Sequence, residues 1–319
     1  MEPFVVEAID QSPVSDLGEG PHWDKSVSSL YYVDAFVGDV HRYETKEGKH
    51  SRINLGDLVT IVIPIEGQPD HVIVSLRNKI VDLNWSNKTH TVLAEVSPDL
   101  NGKERFNDGK IDPFGRLWIG TVLHDDSGAI VPYGGSLYKL SNNKFEKMSS
   151  NFTISNGMAW NHNRTQMYFN DSEDRKTYVF DFNLTDGTIS NKRVLLDYSQ
   201  FSNLYGREEY PDGMAIDVDD NIWIALYGGA RVIHIDPRQN GKLLHSVPVP
   251  APQTTSLAFG GKDFSKLYVT TGNGNVKDNH ELKLKYPHAG KIFKISQQEG
   301  MSGPKLLKGL DVFNAKIMN

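Results

Sequence analysis

Four oxygen-bearing side chains recur at related points of the chain. An Asn or Asp stands before or beside Gly in "RFNDGKID" (105–112), "ISNGMAW" (154–160) and "YPDGMAID" (210–217), and a Glu lies in the similar "GEGPHWD" (18–24). The four residues are Glu19, Asn107, Asn156 and Asp212. Carboxylate and amide oxygens are the ligands of hard cations such as Ca²⁺, Mg²⁺ and Mn²⁺. Two carboxylates held close together would repel each other unless a cation lay between them.

A plainer interpretation is that each Asn-Gly or Asp-Gly pair only forms a tight turn. Turn chemistry explains one such pair, but not their recurrence after about 50 residues, which indicates a structural repeat. Related positions near 60 and 256 bring the number of repeats to six. The pattern therefore predicts that the loops entering six equivalent strands meet around one axis and bring the four oxygen-bearing side chains together.

The segments after these positions alternate apolar and polar residues, as half-buried strands do. Examples are "LYYVD" (30–34), "RLWIGT" (116–121) and "NIWIAL" (221–226), and a further strand-like segment usually follows each of them. Three or four strands in a repeat of about 45–50 residues are typical of a β-propeller blade. We predict an all-β, six-bladed propeller that forms one domain over 1–319, with the metal in its central channel. The first strand, "FVVEAID" (4–10), should pair with the last blade and close the ring.

Composition limits the possible partners. The formal net charge is −6 and no Lys/Arg cluster stands out, which argues against a nucleic-acid partner. No apolar run is long enough to predict a membrane span. The absence of cysteine excludes thiol nucleophiles, disulfides and zinc–thiolate sites. We expect a monomer, because a closed propeller leaves no free sheet edge to cover.

Two features bear on location. The first residues, "MEPFVVEAID", lack the apolar region of a secretory leader, and from this we expect a cytoplasmic protein. Secretion is the alternative, because six N-x-S/T sequons occur, at Asn84, Asn87, Asn151, Asn163, Asn170 and Asn183.

Five motifs resemble those of the gluconolactonase, regucalcin (senescence-marker protein) and luciferin-regenerating enzyme family, and they are closest to its insect branch. They occur in order over nearly the whole chain: "GEGPHWD" (18–24), "RFNDGKIDPFGRLWIGT" (105–121), "SNGMAW" (155–160), "PDGMAIDVDDNIWIA" (211–225) and "TSLAFGG" (255–261). The resemblance implies a six-bladed propeller with one divalent cation in its channel. Ca²⁺ is the expected ion, and Mg²⁺, Mn²⁺ and Zn²⁺ are alternatives.

The resemblance also implies roles for single residues. Glu19, Asn156 and Asp212 would be the metal ligands, and Asp212 would also take or orient the proton of the attacking water. Asn107 would lie beside the metal and, with Arg105, contact the substrate. Asp125 stands near the position of an acid that contacts sugar hydroxyls in some members, where a Glu is often seen.

The resulting functional prediction is a metal-dependent hydrolase of small lactones. The motifs leave open a calcium-binding regulatory protein of the regucalcin type, and a luciferin-regenerating enzyme acting on oxyluciferin. A non-enzymatic scaffold that kept the fold would not need all four oxygen-bearing residues.

Overall fold

The computed structural model of the protein describes residues 3–298, 306–310 and 313–316. After strand β1 (Phe4–Ala8), four separate sheets follow one another, each of four antiparallel strands in chain order. The first sheet contains β2 (Gly18–Asp24), β3 (Ser29–Asp34), β4 (Asp39–Glu44) and β5 (Lys49–Asn54). The second contains β6 (Val62–Ile65), β7 (Gln68–Leu76), β8 (Lys79–Asn84) and β9 (His90–Glu95).

The third and fourth sheets repeat this arrangement. The third contains β10 (Glu104–Ile111), β11 (Leu117–Leu123), β12 (Gly135–Ser141) and β13 (Lys144–Phe152). The fourth contains β14 (Ser155–Trp160), β15 (Gln166–Asp171), β16 (Lys176–Asn183) and β17 (Thr188–Asp197).

The remaining strands form one eight-stranded sheet. It contains β18 (Tyr210–Ile216), β19 (Ile222–Tyr227), β20 (Arg231–Asp236), β21 (Lys242–Pro248), β22 (Gln253–Gly260), β23 (Lys266–Gly272) and β24 (Phe293–Gln297), together with β1. Its order is β1-β24-β23-β22-β19-β20-β21, with β18 paired to β19. The predicted pairing of the first strand with the last part of the chain is confirmed, because Phe4–Ala8 aligns with Gln297–Phe293.

The fold is therefore all-β and propeller-like, but it differs from the prediction of six separate blades. Four four-stranded sheets are separate, and the last two groups of strands share one sheet. The two groups are joined between β19 and β22 by the pairing of Tyr227 with Gln253. A single cross-strand pair of this kind depends on how the two strand groups approach each other in the folded protein. No local sequence pattern predicts it.

Helical structure is scarce in the described residues. The α-helix α1 (His280–Lys285) follows Asn279, whose side chain accepts a hydrogen bond from the backbone N–H of Leu282. Three short 3-10 helices cover Pro98–Leu100, Tyr198–Gln200 and Pro237–Gln239. Among these described helices, none is long and apolar enough to cross a bilayer.

Neighbouring sheets share their apolar cores. Trp118 of β11 packs in one buried cluster with Met158 of β14, and Tyr31 of β3 packs in another with Val62 of β6. The first strands of the four separate sheets and of the two strand groups in the eight-stranded sheet also lie beside one another. The neighbouring pairs are β10 and β14, β14 and β18, β18 and β22, β2 and β22, and β2 and β6. This packing places the four sequence motifs on strands that line a common interior.

Candidate metal centre

Each of the four motif-bearing strands contains the same irregularity. Glu19 of β2 pairs with Val33 of β3, and His22 pairs with Tyr31, so β2 contains one extra residue between the two pairs. The same shift lies between Phe106 and Gly109, between Ser155 and Met158, and between Pro211 and Met214. A β-bulge of this kind turns a side chain away from the regular alternation of the strand. Asn107, Asn156 and Asp212 therefore lie within the bulges, and Glu19 lies at the edge of the bulge in β2, where it is still paired with Val33.

This finding corrects the expectation that the motifs are turns in the loops entering the strands. Asn107, Asn156 and Asp212 lie inside β10, β14 and β18. Asn-Gly and Asp-Gly pairs tolerate unusual backbone geometry, and this property serves a bulge as well as a turn.

Close contact between β14 and β18 depends on Gly157. A Cβ atom at this position would lie 2.5 Å from the carbonyl oxygen of Asp212 and 2.5 Å from the backbone nitrogen of Met214. Both of those atoms belong to backbone, which cannot swing aside. Only glycine therefore lets the strand carrying Asn156 approach the strand carrying Asp212 this closely.

Hydrogen bonds connect the third sheet to the fourth sheet. Asn107 Nδ2 donates to the carbonyl oxygen of Ser155, next to Asn156, at 2.9 Å. Asn107 Oδ1 accepts from Arg105 Nη1 at 2.8 Å. Arg105 and Asn107, both predicted to contact substrate, are thus held together beside the strand that carries a predicted metal ligand.

A second connection runs from Asn156 to the strand of Asp212. Asn156 Nδ2 donates to Ser172 Oγ at 3.0 Å, and Ser172 Oγ donates to the carbonyl oxygen of Pro211 at 2.8 Å. Asn170 Nδ2 donates to the carbonyl oxygen of Asp212 itself at 2.7 Å. The Asn156 amide uses its nitrogen in this network, and its oxygen accepts a bond from the backbone N–H of Gly157 at 3.0 Å.

The site concentrates negative charge. Burial, followed by repulsion from Asp212 and Asp108, raises the pKa of Glu19 well above its ordinary value. Burial, followed by repulsion from Asp108, does the same to the pKa of Asp212. Burial also raises the pKa of Asp108. Burial and mutual repulsion disfavour the charged forms of these carboxyl groups. A cation placed among them would stabilise the charged forms.

The strongest sign of a missing partner is on Asp212. Its side chain is 5% exposed, and its Oδ1 atom is buried without a hydrogen-bond partner among the described residues. A buried carboxylate oxygen left unpaired is costly. Glu19 supplies a second carboxylate, whose Oε2 accepts the backbone N–H of Gly20 at 3.0 Å and no other bond from the residues that the structure describes. These oxygen donors fit a hard divalent cation.

The described residues contain no group of three or more His, Cys, Asp or Glu side chains that could hold a metal. The candidate set of Glu19, Asn156 and Asp212 has only two such residues, so it depends on the amide oxygen of Asn156. Asp108 takes part through its charge, on the evidence of its effect on the pKa of Glu19 and Asp212.

Sequence reasoning missed three residues of this region. Asp108 follows Asn107 directly in "RFNDGK", and an acidic residue beside a predicted site residue is a sequence feature that points to the same site. Lys110 donates through Nζ to the carbonyl oxygen of Met214 at 2.6 Å, and burial lowers the pKa of its ammonium group. Asn170, noted only as a sequon, is fully buried and holds the backbone of Asp212.

Arg105 and Asp125, the two other residues predicted to contact substrate besides Asn107, lie in different surroundings. Arg105 is half-buried, and burial lowers the pKa of its guanidinium to about 10. Asp125 is exposed, and its Oδ1 accepts hydrogen bonds from the backbone of Ser127 and Ala129 at 2.8 and 3.0 Å. Both residues line one open cavity of about 660 Å³, together with His124. The Asp125 carboxylate shapes its own turn, whereas Arg105 contacts Asn107.

The raised pKa values predict how the metal-free protein responds to pH. A carboxyl group whose pKa is higher in the folded than in the unfolded protein holds its proton more tightly when folded, so the free energy of unfolding falls as the pH rises. In excess chelator, Glu19 and Asp212 should therefore contribute progressively less to thermal stability as the pH rises through and above the ordinary values of 3.8 and 4.5. Carboxyl groups with a lowered pKa, such as Asp57 and Asp197, act in the opposite direction.

The matched variant is Asp212→Asn, which keeps the shape and removes one charge. Measured relative to the wild type, its melting temperature should increase with pH, and near neutral pH it should be the more stable apoprotein. Thermal denaturation of both proteins in chelator measures this. An equal change of melting temperature with pH in the two proteins would show that burial and charge repulsion do not raise the pKa of Asp212.

Known proteins share the sequence and the fold of this chain. Residues 17–273 match the family model described as SMP-30/Gluconolactonase/LRE-like region. Regucalcin from Bos taurus is 36% identical over 285 residues, which cover 88% of this chain and 90% of the bovine protein. A luciferin-regenerating enzyme structure is 34% identical with a TM-score of 0.88, covering 98% of this chain and 100% of that one.

A structure described as the calcium-binding protein regucalcin, from Agrobacterium tumefaciens, shares the fold. Its TM-score is 0.84 at 23% identity, and the match covers 99% of this chain and 98% of that one. Assignment to the insect branch stays a prediction. The extent of the family match and the identity to regucalcins show that this chain belongs to the SMP-30, gluconolactonase and luciferin-regenerating enzyme family.

Proposed function

We propose that the protein is a divalent-metal-dependent hydrolase of small lactones. The observation that carries the proposal is the buried Oδ1 of Asp212, which lies near Glu19 and Asp108 and has no hydrogen-bond partner in the described parts of the chain. Glu19, Asn156 and Asp212 would hold the cation, and Ca²⁺ is the ion we expect from their oxygen donors, with Mg²⁺, Mn²⁺ or Zn²⁺ as alternatives. Such a cation supplies Lewis-acid polarisation of an ester carbonyl and activation of water.

Asp212 is the residue we assign to proton transfer. As a proposed metal ligand, its carboxylate would lie next to the water that the cation activates, where it could accept a proton. It would take a proton from the attacking water, or orient that water, without a covalent bond between enzyme and substrate. The chain has no cysteine that could act as a nucleophile instead.

Arg105 and Asn107 would hold the substrate. In the described structure the Arg105 guanidinium donates through Nη1 to Asn107 and to the carbonyl oxygen of Phe106. No bond is found there for its other nitrogens, so they remain free to donate to substrate oxygens. A cationic donor at this point would offset the negative charge that develops on the ester oxygen. Asp125, on the rim of the same cavity, would contact substrate hydroxyl groups.

The proposal includes the architecture around the site. We propose that the two halves of the eight-stranded sheet act as two blades, so that six blades close one ring with the metal in its channel. On this view 1–319 is a single domain and the protein is a cytoplasmic monomer. The small-molecule substrate would reach the site through the cavity that Arg105 lines.

The test is a metal add-back assay. The protein is stripped with chelator and assayed on gluconolactone and several aromatic lactones, with Ca²⁺, Mg²⁺, Mn²⁺ or Zn²⁺ restored one at a time. We expect no turnover without metal and recovery with at least one ion, because the carboxylates alone cannot polarise the ester. Full activity in excess chelator would contradict the proposal.

A second candidate function is calcium binding of the regulatory kind suggested by the name regucalcin. It is favoured by the 36% identity to bovine regucalcin and by a site of oxygen donors alone. Saturable Ca²⁺ binding without turnover of any lactone would favour this function. The similarity to a luciferin-regenerating enzyme adds oxyluciferin to the substrates that should be assayed.

A further inference from the structure

A second cavity lies three residues further along the same inner strands. His22, Lys110, Ala159 and Ala215 line it, and they follow Glu19, Asn107, Asn156 and Asp212 by three positions each. At about 3.3 Å per residue, this spacing separates the cavity from the candidate metal centre by up to about 10 Å. Its volume is about 470 Å³, within the range of small-molecule sites.

The cavity is apolar and partly aromatic. Its walls include Trp160 and Phe259, which are 5% and 1% exposed, and Phe313 stands at its edge. The three alanines Ala159, Ala215 and Ala258 leave the space between these rings open. A flat, apolar molecule would bury its faces against such walls.

The C-terminal segment, described over 306–310 and 313–316, covers this end of the strands. The backbone N–H of Gly309 donates to the carbonyl oxygen of Phe264 at 2.9 Å, and that of Ala315 donates to Pro64 at 2.9 Å. Asn314 Oδ1 lies 3.0 Å from His22 Nε2. Leu310 and Phe313 thereby become part of the cavity lining.

The polar groups of the cavity favour an anion. Its described lining contains no Asp or Glu, although the chain has 40 acidic residues, and its cationic groups are Lys110 and Arg164. Burial lowers the pKa of His22 to about 4, so that histidine is neutral near pH 7. Arg164 is exposed at the rim, and it forms no ion pair with the described residues; its guanidinium lies 6.0 Å from the ring centre of Phe313. Lys110 uses one of its three donors, on the carbonyl oxygen of Met214.

We propose that this cavity is a second binding site, distinct from the metal centre, for a small aromatic carboxylate. The rings of Trp160, Phe259 and Phe313 would enclose the apolar body. Arg164 at the rim would pair with the carboxylate group. The proposal does not depend on lactone hydrolysis or on metal binding.

The test is calorimetric titration of the full chain with naphthoate, in excess chelator, with naphthamide as the neutral probe of equal shape. We expect one molecule of naphthoate to bind per chain, and naphthamide to bind about tenfold more weakly, because it lacks the charge-assisted contact. Absence of naphthoate binding, equal affinity for the two probes, or loss of binding when metal is removed would each overturn the proposal.

Two variants locate the site. Arg164→Gln, on the surface, should weaken naphthoate by about three- to tenfold and leave naphthamide unchanged, as expected for the loss of one partly exposed charge contact. Ala258→Leu should fill the cavity and abolish binding of both probes, with the melting temperature as a check that it folds. Unchanged binding in folded Ala258→Leu would place the probes elsewhere, and so would an Arg164→Gln variant that binds naphthoate as the wild type does.

Discussion

Replacing Asp212 by alanine should reduce metal-dependent lactone hydrolysis by about 10²–10⁴-fold, the range expected when a general base is lost. The change removes a proposed metal ligand and the proposed proton acceptor together. It also removes the buried Oδ1 atom that has no partner in the described structure. Turnover at saturating metal and the affinity for metal, measured side by side, separate the loss of binding from the loss of chemistry.

Stability distinguishes this result from simple unfolding. Asp212 is repelled by Asp108 and raises the pKa of Glu19, so its loss should leave the metal-free protein as stable as the wild type, or more stable. The matched control is Asp217→Asn. Asp217, five residues further along, accepts hydrogen bonds from Trp223 and His234 at 3.1 and 2.9 Å. That variant should lose stability and keep its turnover per folded molecule. Wild-type activity in Asp212→Ala would contradict the assignment.

Replacing Gly157 by valine should destabilise the fold and disrupt the metal centre together. The new Cβ would lie 2.5 Å from two backbone atoms of the β18 strand, so β14 and β18 must move apart. We expect a loss of about 3 kcal/mol or more in the free energy of unfolding, at the upper end of the cost of overpacking. Since these strands carry Asn156 and Asp212, metal affinity should fall as well. Chemical denaturation and metal titration measure the two effects.

The control for that prediction is Gly206→Ala. Gly206 is exposed, and a Cβ there would meet only the side chain of Glu209, at 3.2 Å and beyond, which can move. Its stability should stay within about 0.5 kcal/mol of the wild type, as for most surface changes. A Gly157→Val protein as stable as Gly206→Ala would show that β14 and β18 are not in the close contact described.

Much of the fold could be predicted from the sequence because alternation and aromatic content mark each strand locally. "LYYVD", "RLWIGT" and "NIWIAL" correspond to β3, β11 and β19, and the first strand pairs with the last as expected. The union of the last two strand groups could not be predicted, because the pairing of Tyr227 with Gln253 is a tertiary contact.

The candidate site was predictable where a residue type recurred in phase. Glu19, Asn156 and Asp212 recur in this way, but the sequence does not distinguish a bulge from a turn, because Asn-Gly and Asp-Gly suit both. Asp108 was missed because it adjoins Asn107, and a period of two sends adjacent side chains of a regular strand to opposite faces. The bulge between Phe106 and Gly109 interrupts this alternation, so both side chains could face the candidate site.

The most direct test of the account is to locate the bound metal. Crystals grown with Mn²⁺ would be measured near its absorption edge, and the anomalous difference map would be calculated. The account predicts one strong peak within coordination distance of the Glu19 carboxylate, the Asn156 amide oxygen and Asp212 Oδ1, with no such peak in crystals of Asp212→Ala. A peak at another position, or no peak at saturating Mn²⁺, would contradict the claim that these strands form a metal centre.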